Sequence, residues 1–282
     1  MKAKFVTEKI SEVLMLLASL SVLAFFAGIM YTILRTGIPT LTWSMVSELP
    51  GGGFFVGEDG GLLNAIAGSL IIVGASTVLG LVISIPVVFY LNVYLTRKSR
   101  RAFVIRLGFD VLYGIPSIVY GAFAFTLMIL LGMKTSLLGG ILVVTILIIP
   151  IFVRSMDEMA VLVSHEMLDA VKSMGATRWE TGKVVLRQIL PGIVTATLLS
   201  IGRAIGDSAG VMLTTGFTDN IPTSLDQPAA TLPLAVFFQL SSPIPEVREK
   251  AYAAALILTL IVLVLSLSAR MITAMFNKNR IK

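Results

Sequence analysis

Long segments without a single charged residue constrain this chain more than any other feature of its sequence. The longest covers residues 60–96, and others cover 13–34 and 251–269. A helix needs about 20 apolar residues to cross a bilayer, and inside lipid only helices and closed barrels satisfy their own backbone hydrogen bonds. Charged residues make up 13% of the chain, about half the share of a soluble domain. We therefore predict an all-α polytopic membrane protein with no separate soluble domain.

The charged residues divide the 282-residue chain into six predicted transmembrane helices. The first of them is interpreted as a retained helix, because its uncharged core is too long for a signal peptide. The second uncharged run is longer than a bilayer requires, so part of it must project or tilt. The predicted spans are 13–34, part of 60–96, 111–133, 135–153, 191–216 and 251–269.

Lysine and arginine are concentrated in the amino end, in 96–106, in 154–187 and in the tail from residue 270. Because basic connections remain in the cytoplasm, we expect both termini on the cytoplasmic side. We divide the chain into an N-terminal helix with its extracytoplasmic loop, 1–60, and a five-helix core, 61–282, with a cytoplasmic loop at 156–190. The first loop contains three predicted interfacial anchors, Trp43, Phe54 and Phe55.

Several classes of function are not expected. Cysteine is absent and histidine occurs once, so we expect no thiol chemistry and no metal site. The net charge of +6 is explained by basic residues at membrane flanks rather than by nucleic-acid binding. No phosphate-binding loop is found, since Gly182-Lys183 is followed by Val184. We therefore expect no catalytic residue and no cofactor in this chain.

The cytoplasmic connection between the fourth and fifth spans has the pattern of two short helices separated by a break. Ser164 is placed to cap the first helix, and Gly175 suits the left-handed position after its end. Thr177 and Glu180 have the spacing of a capping box, which predicts a second helix. The apolar residues of the first helix recur at helical spacing: Met167, Ala170, Val171 and Met174.

Two interpretations of this helix pair are open from the residues alone. It could lie on the lipid surface, or it could dock against a partner protein. Glu166 and Asp169 stand beside the apolar stripe, and carboxylates suit a protein groove better than anionic lipid head groups.

A pair of opposite charges lies inside the predicted fifth span. Arg203 and Asp207 are four residues apart, which would place them on one face of a continuous helix. A charge exposed to lipid costs several kcal/mol, so this face is expected to point into a bundle or a water-filled path. The pair is either a self-neutralising structural feature, or Arg203 is a positive focus for an anionic solute, with Asp207 holding its guanidinium in position. Small residues surround the pair: Gly202, Ala204, Gly206, Ser208, Ala209 and Gly210.

Two further segments carry structural signals. Pro116 is predicted to break or kink the third helix, where Ser117 and Tyr120 would either satisfy freed backbone groups or line the path. The segment "TLPLAVFFQL", 231–240, is too short to span; it would dip into the membrane or face a delivery protein.

The segment "DAVKSMG", 169–175, resembles the cytoplasmic loop motif of bacterial ABC-importer permeases, with Val171 in place of the usual second small residue. The leucine-proline pair that normally follows, here in "LPGI" at 190–193, comes about three residues late. The resemblance implies that this loop is a coupling helix that sits in a groove of an ATPase subunit. The docking residues would be Glu166, Asp169, Ala170 and Gly175.

Three other motifs narrow the resemblance. "GRAIGDSAGV", 202–211, is similar to the G-R-A-I-G-E-T segment of phosphate ABC-transporter permeases, with Asp207 and Ser208 as replacements. "YGIPSIVYGAF", 113–123, and "ATLPLAVFFQL", 230–240, resemble further segments of that family in the same order. On these motifs the chain is identified as a member of the phosphate ABC-transporter permeases, over most of 61–275.

The resemblance implies a type I importer transmembrane domain, in the inner membrane of a bacterium or archaeon, that carries inorganic phosphate. Its partners would be a second permease subunit, two copies of an ATPase that carry ATP and Mg²⁺, an extracytoplasmic phosphate-binding protein and membrane lipid. The substrate path would be lined by Arg203, Asp207, Ser208, Ser117 and Tyr120.

Alternative functions stay open from the residues. The transported anion could be sulfate, molybdate or a phosphonate. A gradient-driven secondary transporter that uses Asp207 as a relay is a second alternative, although "GIPSIVYG" and "GRAIGDSAGV" show no inverted repeat. A purely structural membrane subunit is the third.

Overall fold

The computed structural model describes residues 2–51, 59–96 and 99–278. In this part of the chain every regular element is helical, and one isolated β-bridge joins Pro50 to Gly60. The predicted anchors Phe54 and Phe55, and Arg97 and Lys98 of the basic connection, lie outside the described residues. A π-helical segment, Tyr90–Tyr94, continues directly from the α-helix Leu63–Phe89. The α-helices are α1 (Lys2–Thr40), α2 (Trp43–Ser47), α3 (Leu63–Phe89), α4 (Arg100–Gly114), α5 (Ser117–Leu130), α6 (Leu137–Val161), α7 (His165–Ser173), α8 (Arg178–Gln188), α9 (Leu190–Ile205), α10 (Ala209–Met212), α11 (Leu232–Leu240) and α12 (Pro245–Lys278).

The described helices provide four to six candidate membrane spans. Among the described residues, α1, α3 with its π-helical extension, α6 and α12 are each long and apolar enough to cross a bilayer. Two bent helix pairs, α4 with α5 and α8 with α9, bring the total to six if each pair counts as one span. The prediction of an all-α polytopic protein is confirmed.

Two predicted spans have a different shape from the one expected. Residues 111–133 do not form one straight helix, because α4 ends at Gly114 and α5 leaves it at an angle of 98°. Pro116 causes the break: it lacks an N–H group and disfavours helical geometry at the preceding residue, and Ile115 is extended at ψ 131°. Residues 191–216 are not one helix either, since α9 ends at Ile205 and only the short α10 follows.

The centre of the molecule is α6. In the most apolar 18-residue stretch of α6, 67% of the residues are buried, whereas no residue is buried in the corresponding stretch of α1. Ile148 and Phe152 of α6 are fully buried in a core that they share with Ile72 of α3 and Ala204 of α9. The first helix packs along α12 and otherwise exposes its side chains, as expected of a helix surrounded by lipid. Trp43, at the start of α2, is 81% exposed.

Close backbone packing joins α5 to the segment after α9. A β-carbon on Gly121 would lie 2.7 Å from the carbonyl oxygen of Gly210 and 3.1 Å from its Cα. These are contacts with backbone, which cannot rotate away as a side chain can. The absence of a side chain at Gly121 therefore sets how closely α5 approaches α10.

Replacing Gly121 with alanine is expected to lower the free energy of unfolding by about 1 to 3 kcal/mol, because the added methyl group forces α5 away from α10. The measurement is thermal unfolding of the purified protein in detergent. Gly74→Ala is the matched control, since a β-carbon there meets no atom within 4 Å and alanine has the higher helix propensity. Equal melting temperatures for the two variants would contradict the prediction.

Candidate functional site

The predicted pair of charges is separated by a break in the helix. Arg203 lies in the last turn of α9, whereas Asp207 lies after Gly206, where α9 ends. The Asp207 carboxylate accepts a hydrogen bond from the Gly210 backbone N–H at 2.9 Å and is buried. Arg203 is exposed, and no ion pair joins it to Asp207 in the described part of the chain.

The expectation that Arg203 and Asp207 share one face of a continuous helix was therefore wrong. So was the interpretation of the two as a self-neutralising pair, and that of Asp207 as the residue that positions the guanidinium. Aspartate competes with helix formation by bonding to nearby backbone groups, and here its carboxylate accepts from the Gly210 N–H in the first turn of the short α10. Gly206 adds a residue of low helix propensity at the same point.

Two segments that the sequence analysis singled out meet at this break. A β-carbon on Gly210 would lie 2.6 Å from the Asp207 Oδ2 atom and 3.4 Å from the Ser117 carbonyl oxygen. Ser117 begins α5, and Ser208 follows Asp207; both are half-buried. The "GIPSIVYG" and "GRAIGDSAGV" segments are thus adjacent in the fold.

Tyr120 stabilises the bend between α4 and α5. Its hydroxyl donates a hydrogen bond to the Leu112 carbonyl oxygen at 2.7 Å, and its ring is buried with Val143 and Leu147. This side chain was expected either to line the path or to bond a backbone group that Pro116 leaves without a partner. The structure shows the second role, at the Leu112 carbonyl oxygen.

The segment "ATLPLAVFFQL", 230–240, contains α11 and is held near its start by backbone hydrogen bonds. The Ala229 N–H donates to the Thr215 carbonyl at 3.0 Å, and the Leu232 N–H donates to the Ser69 hydroxyl at 2.8 Å. Leu232 and Leu234 of α11 are fully buried, and α11 packs on α12 and α3. The nine-residue helix is too short to span, as the sequence analysis expects.

The loop before this segment caps α6. The backbone N–H groups of Leu137 and Leu138 donate to the carbonyl oxygens of Gln227 and Leu225, at 2.7 and 2.8 Å. Hydrogen bonds from the Ser224 side chain and from its own backbone lower the pKa of the Asp226 carboxyl. The loop therefore presents a negative charge beside the amino end of the most buried helix.

The helix pair predicted within residues 156–190, α7 and α8, forms as the local sequence predicts. The Ser164 hydroxyl accepts from the Met167 N–H, and Thr177 and Glu180 make both hydrogen bonds of a capping box. Gly175 follows the end of α7 with φ +81°. The helix turns Leu168 inward, whereas the four predicted docking residues are all exposed: Glu166, Asp169, Ala170 and Gly175.

A polar cluster near the end of α6 was not predicted from the sequence. Arg106 was interpreted only as part of a basic connection, yet it pairs with Asp157, 51 positions further along the chain. The available signal was Asp157 itself, a carboxylate at helical spacing from Val153 and Ala160, which are buried and apolar. Nothing local indicates which arginine it meets.

The hydrogen bond from Gly210 to Asp207 gives a stability prediction. Asp207→Ala is expected to lower the free energy of unfolding by about 1 to 3 kcal/mol, because the Gly210 N–H then lacks its acceptor. Asp207→Asn retains an oxygen acceptor and is the matched control. Thermal unfolding in detergent measures both. An equal loss in the two variants would mean that the negative charge, and not the hydrogen bond, stabilises the break.

Comparison with known proteins agrees with this architecture. The family model of binding-protein-dependent transport system inner membrane components matches residues 76–282. The chain belongs to this family. It is thus a membrane-embedded permease subunit of an ABC importer, a class that works with an ATPase and a substrate-binding protein.

Within this class the chain is similar to proteins named phosphate transport system permease protein PstA. It is 35% identical to the PstA of Pasteurella multocida, over 90% of this chain and 92% of that protein. It is 32% identical to the PstA of Haemophilus influenzae, over 86% and 85%, and to that of Yersinia pestis, over 94% and 90%. The resemblance identified from the motifs is confirmed.

A solved structure supports the fold. The inward-facing MetNI methionine ABC transporter contains a chain that matches with a TM-score of 0.63, over 76% of this chain and 95% of that one. At 19% identity the match bears on the fold alone.

Proposed function

We propose that this chain is the PstA-type permease subunit of an ATP-driven importer of inorganic phosphate. The observation that carries the proposal is the 32 to 35% identity to PstA proteins along nearly the whole length of both chains. The motif around Arg203 supports it, because a planar guanidinium donates two parallel hydrogen bonds to a tetrahedral oxyanion.

The substrate path in this proposal runs beside the break between α9 and α10. Arg203 lies in the last turn of α9 without an ion pair among the described residues, so its positive charge is not cancelled by Asp207. The buried Asp207 holds the geometry of the break through Gly210. Ser208 and Ser117 complete this side of the path, and Tyr120 supports it through its hydrogen bond to the Leu112 carbonyl oxygen.

The remaining parts of the transporter are supplied by partners. A second, similar permease subunit encloses the path, and an extracytoplasmic protein delivers phosphate. Two copies of an ATPase bind ATP and Mg²⁺ and dock on the exposed face of the helix pair, at Glu166, Asp169, Ala170 and Gly175. The chain itself holds no nucleotide, metal or cofactor and catalyses no covalent chemistry. It lies in the cell inner membrane with both termini in the cytoplasm.

The test is uptake into proteoliposomes that contain this chain with and without its three kinds of partner, under ATP or under an imposed ion gradient. Transport of labelled phosphate only with the full set and ATP is the expected result. Gradient-driven uptake by this chain alone would replace the proposal with a secondary transporter. Competition by sulfate, molybdate and a phosphonate identifies the anion, and preference for one of these over phosphate would overturn the substrate.

A further inference from the structure

Three side chains from three helices meet near the end of α6. Asp157 accepts two hydrogen bonds from the Arg106 guanidinium, from Nε to Oδ2 at 2.7 Å and from Nη2 to Oδ1 at 3.0 Å. The Asn92 amide in the π-helical segment donates to the same Oδ1 at 2.6 Å and to the Val88 carbonyl at 3.1 Å. We call Asn92, Arg106 and Asp157 the cytoplasmic clamp. One carboxylate near the end of α6 therefore connects the π-helical extension of α3 with the middle of α4.

The clamp is much less accessible to solvent than a neighbouring ion pair between the same two helices. The side chains of Arg106 and Asp157 are 25% and 12% exposed, whereas those of Arg154 and Asp110 are 49% and 53% exposed at an Nη1–Oδ1 distance of 3.0 Å. A partly buried pair that loses one member leaves an uncompensated charge, whereas an exposed pair contributes little. The two pairs thus form a natural comparison.

The clamp lies where the coupling loop meets the transmembrane helices. Asp157 is about 30 Å along α6 from Leu137, which equals the thickness of the hydrocarbon core of a bilayer. It therefore lies at the edge of the membrane-spanning region, on the side of α7 and α8. Residues 162–164 alone separate α6 from α7. A displacement of α7 therefore acts directly on the turn that carries Asp157.

The second helix of the loop, α8, contacts residues on both sides of Asn92 in sequence. The Trp179 ring of α8 packs against Phe89 with 5.5 Å between centroids. Arg178 lies over the Tyr94 ring at 5.5 Å. Phe89 and Tyr94 flank Asn92 in sequence, so α8 contacts the turn that holds the third member of the clamp.

We infer that Asn92, Arg106 and Asp157 are positioning residues that make α3, α4 and α6 move together when the ATPase displaces α7 and α8. The inference rests on the proposed function. The clamp touches neither the anion nor the nucleotide. Its role is to transmit a displacement from one rigid helix to the next through a shared polar contact.

The test measures ATP hydrolysis and anion uptake in the same proteoliposomes, with the complete complex. Asp157→Asn is expected to lower the number of anions imported per ATP by about tenfold, a coupling change of ordinary size, while hydrolysis continues. Asp110→Asn, which removes only the exposed pair, is the matched control and should leave the ratio unchanged. The double exchange Arg106→Asp with Asp157→Arg should recover part of the ratio, because it restores an ion pair.

The outcomes separate this inference from the proposed function. If Asp157→Asn leaves the number of anions imported per ATP unchanged, including when uptake and hydrolysis fall equally, the inferred role of the clamp is wrong. If Asp157→Asn fails to assemble, Asn92→Ala decides, since it leaves the ion pair intact and should lower the ratio by a smaller factor. If the wild-type complex imports another oxyanion, the proposed substrate fails, and the ratio is measured with that oxyanion.

Discussion

Arg203→Ala is expected to reduce phosphate uptake by about 10- to 100-fold, the loss that corresponds to one or two hydrogen bonds to a charged group. Arg203 lies in the last turn of α9 and makes no ion pair among the described residues. Its removal therefore leaves no buried acid without a partner, and the complex should assemble as before. The measurement is ATP-driven uptake in proteoliposomes, with subunit content checked by copurification.

Two further variants separate the charge of Arg203 from its shape. Arg203→Lys keeps the charge but cannot form the parallel pair of hydrogen bonds, so an intermediate rate is expected. Lys134→Ala removes an exposed positive charge from the hairpin between α5 and α6 and should leave uptake unchanged. Normal uptake by Arg203→Ala would remove this residue from the mechanism.

Gly175→Pro is expected to abolish copurification of the ATPase while the transmembrane helices stay inserted. Gly175 has φ +81° and its N–H donates to the Lys172 carbonyl at 2.9 Å. Proline fixes φ near −65° and has no N–H, so the turn between α7 and α8 cannot form. Glu166 and Asp169, the exposed acids of α7, are then no longer held in a fixed position relative to α8. The measurement is pull-down of the ATPase from detergent extracts.

The chain contains a matched control for this variant. Gly132 has φ +68° and its N–H donates to the Ile129 carbonyl at 3.0 Å, so Gly132→Pro creates the same local conflict in the opposite hairpin. It is expected to lower stability without loss of ATPase copurification. Retained copurification in Gly175→Pro would mean that the ATPase docks elsewhere.

The helix pair of the cytoplasmic loop was predictable because its signals act over four residues or fewer. Ser164 reaches the N–H of Met167, and Thr177 exchanges hydrogen bonds with Glu180. These contacts depend only on the local backbone conformation. The same holds for the break at Pro116, although the 98° bend depends on how α4 packs on α6 and α5 on α10.

The Arg203 and Asp207 prediction failed because one spacing is compatible with two structures. A spacing of four residues pairs two charges on a continuous helix, but an aspartate near a glycine can also end one helix and begin another. The second outcome places Asp207 against Gly210, which itself lies close to the Ser117 carbonyl oxygen of α5. That arrangement requires α5 to pack there, which no pattern within residues 200–212 specifies.

The sequence by itself determined the helical class, the number of spans, the caps of the cytoplasmic helices and the family. These follow from the lengths of apolar runs and from motifs whose members are neighbours in the chain, whereas the structure gives four spans, or six if each bent helix pair counts as one. Only the tertiary structure decided the bend of the third span, the separation of Arg203 from Asp207 and the connection of Arg106 with Asp157. The reason is physical: these features depend on contacts between helices far apart in sequence, and a side chain's hydrogen-bond partner is chosen among all the groups that packing brings within about 3 Å of it.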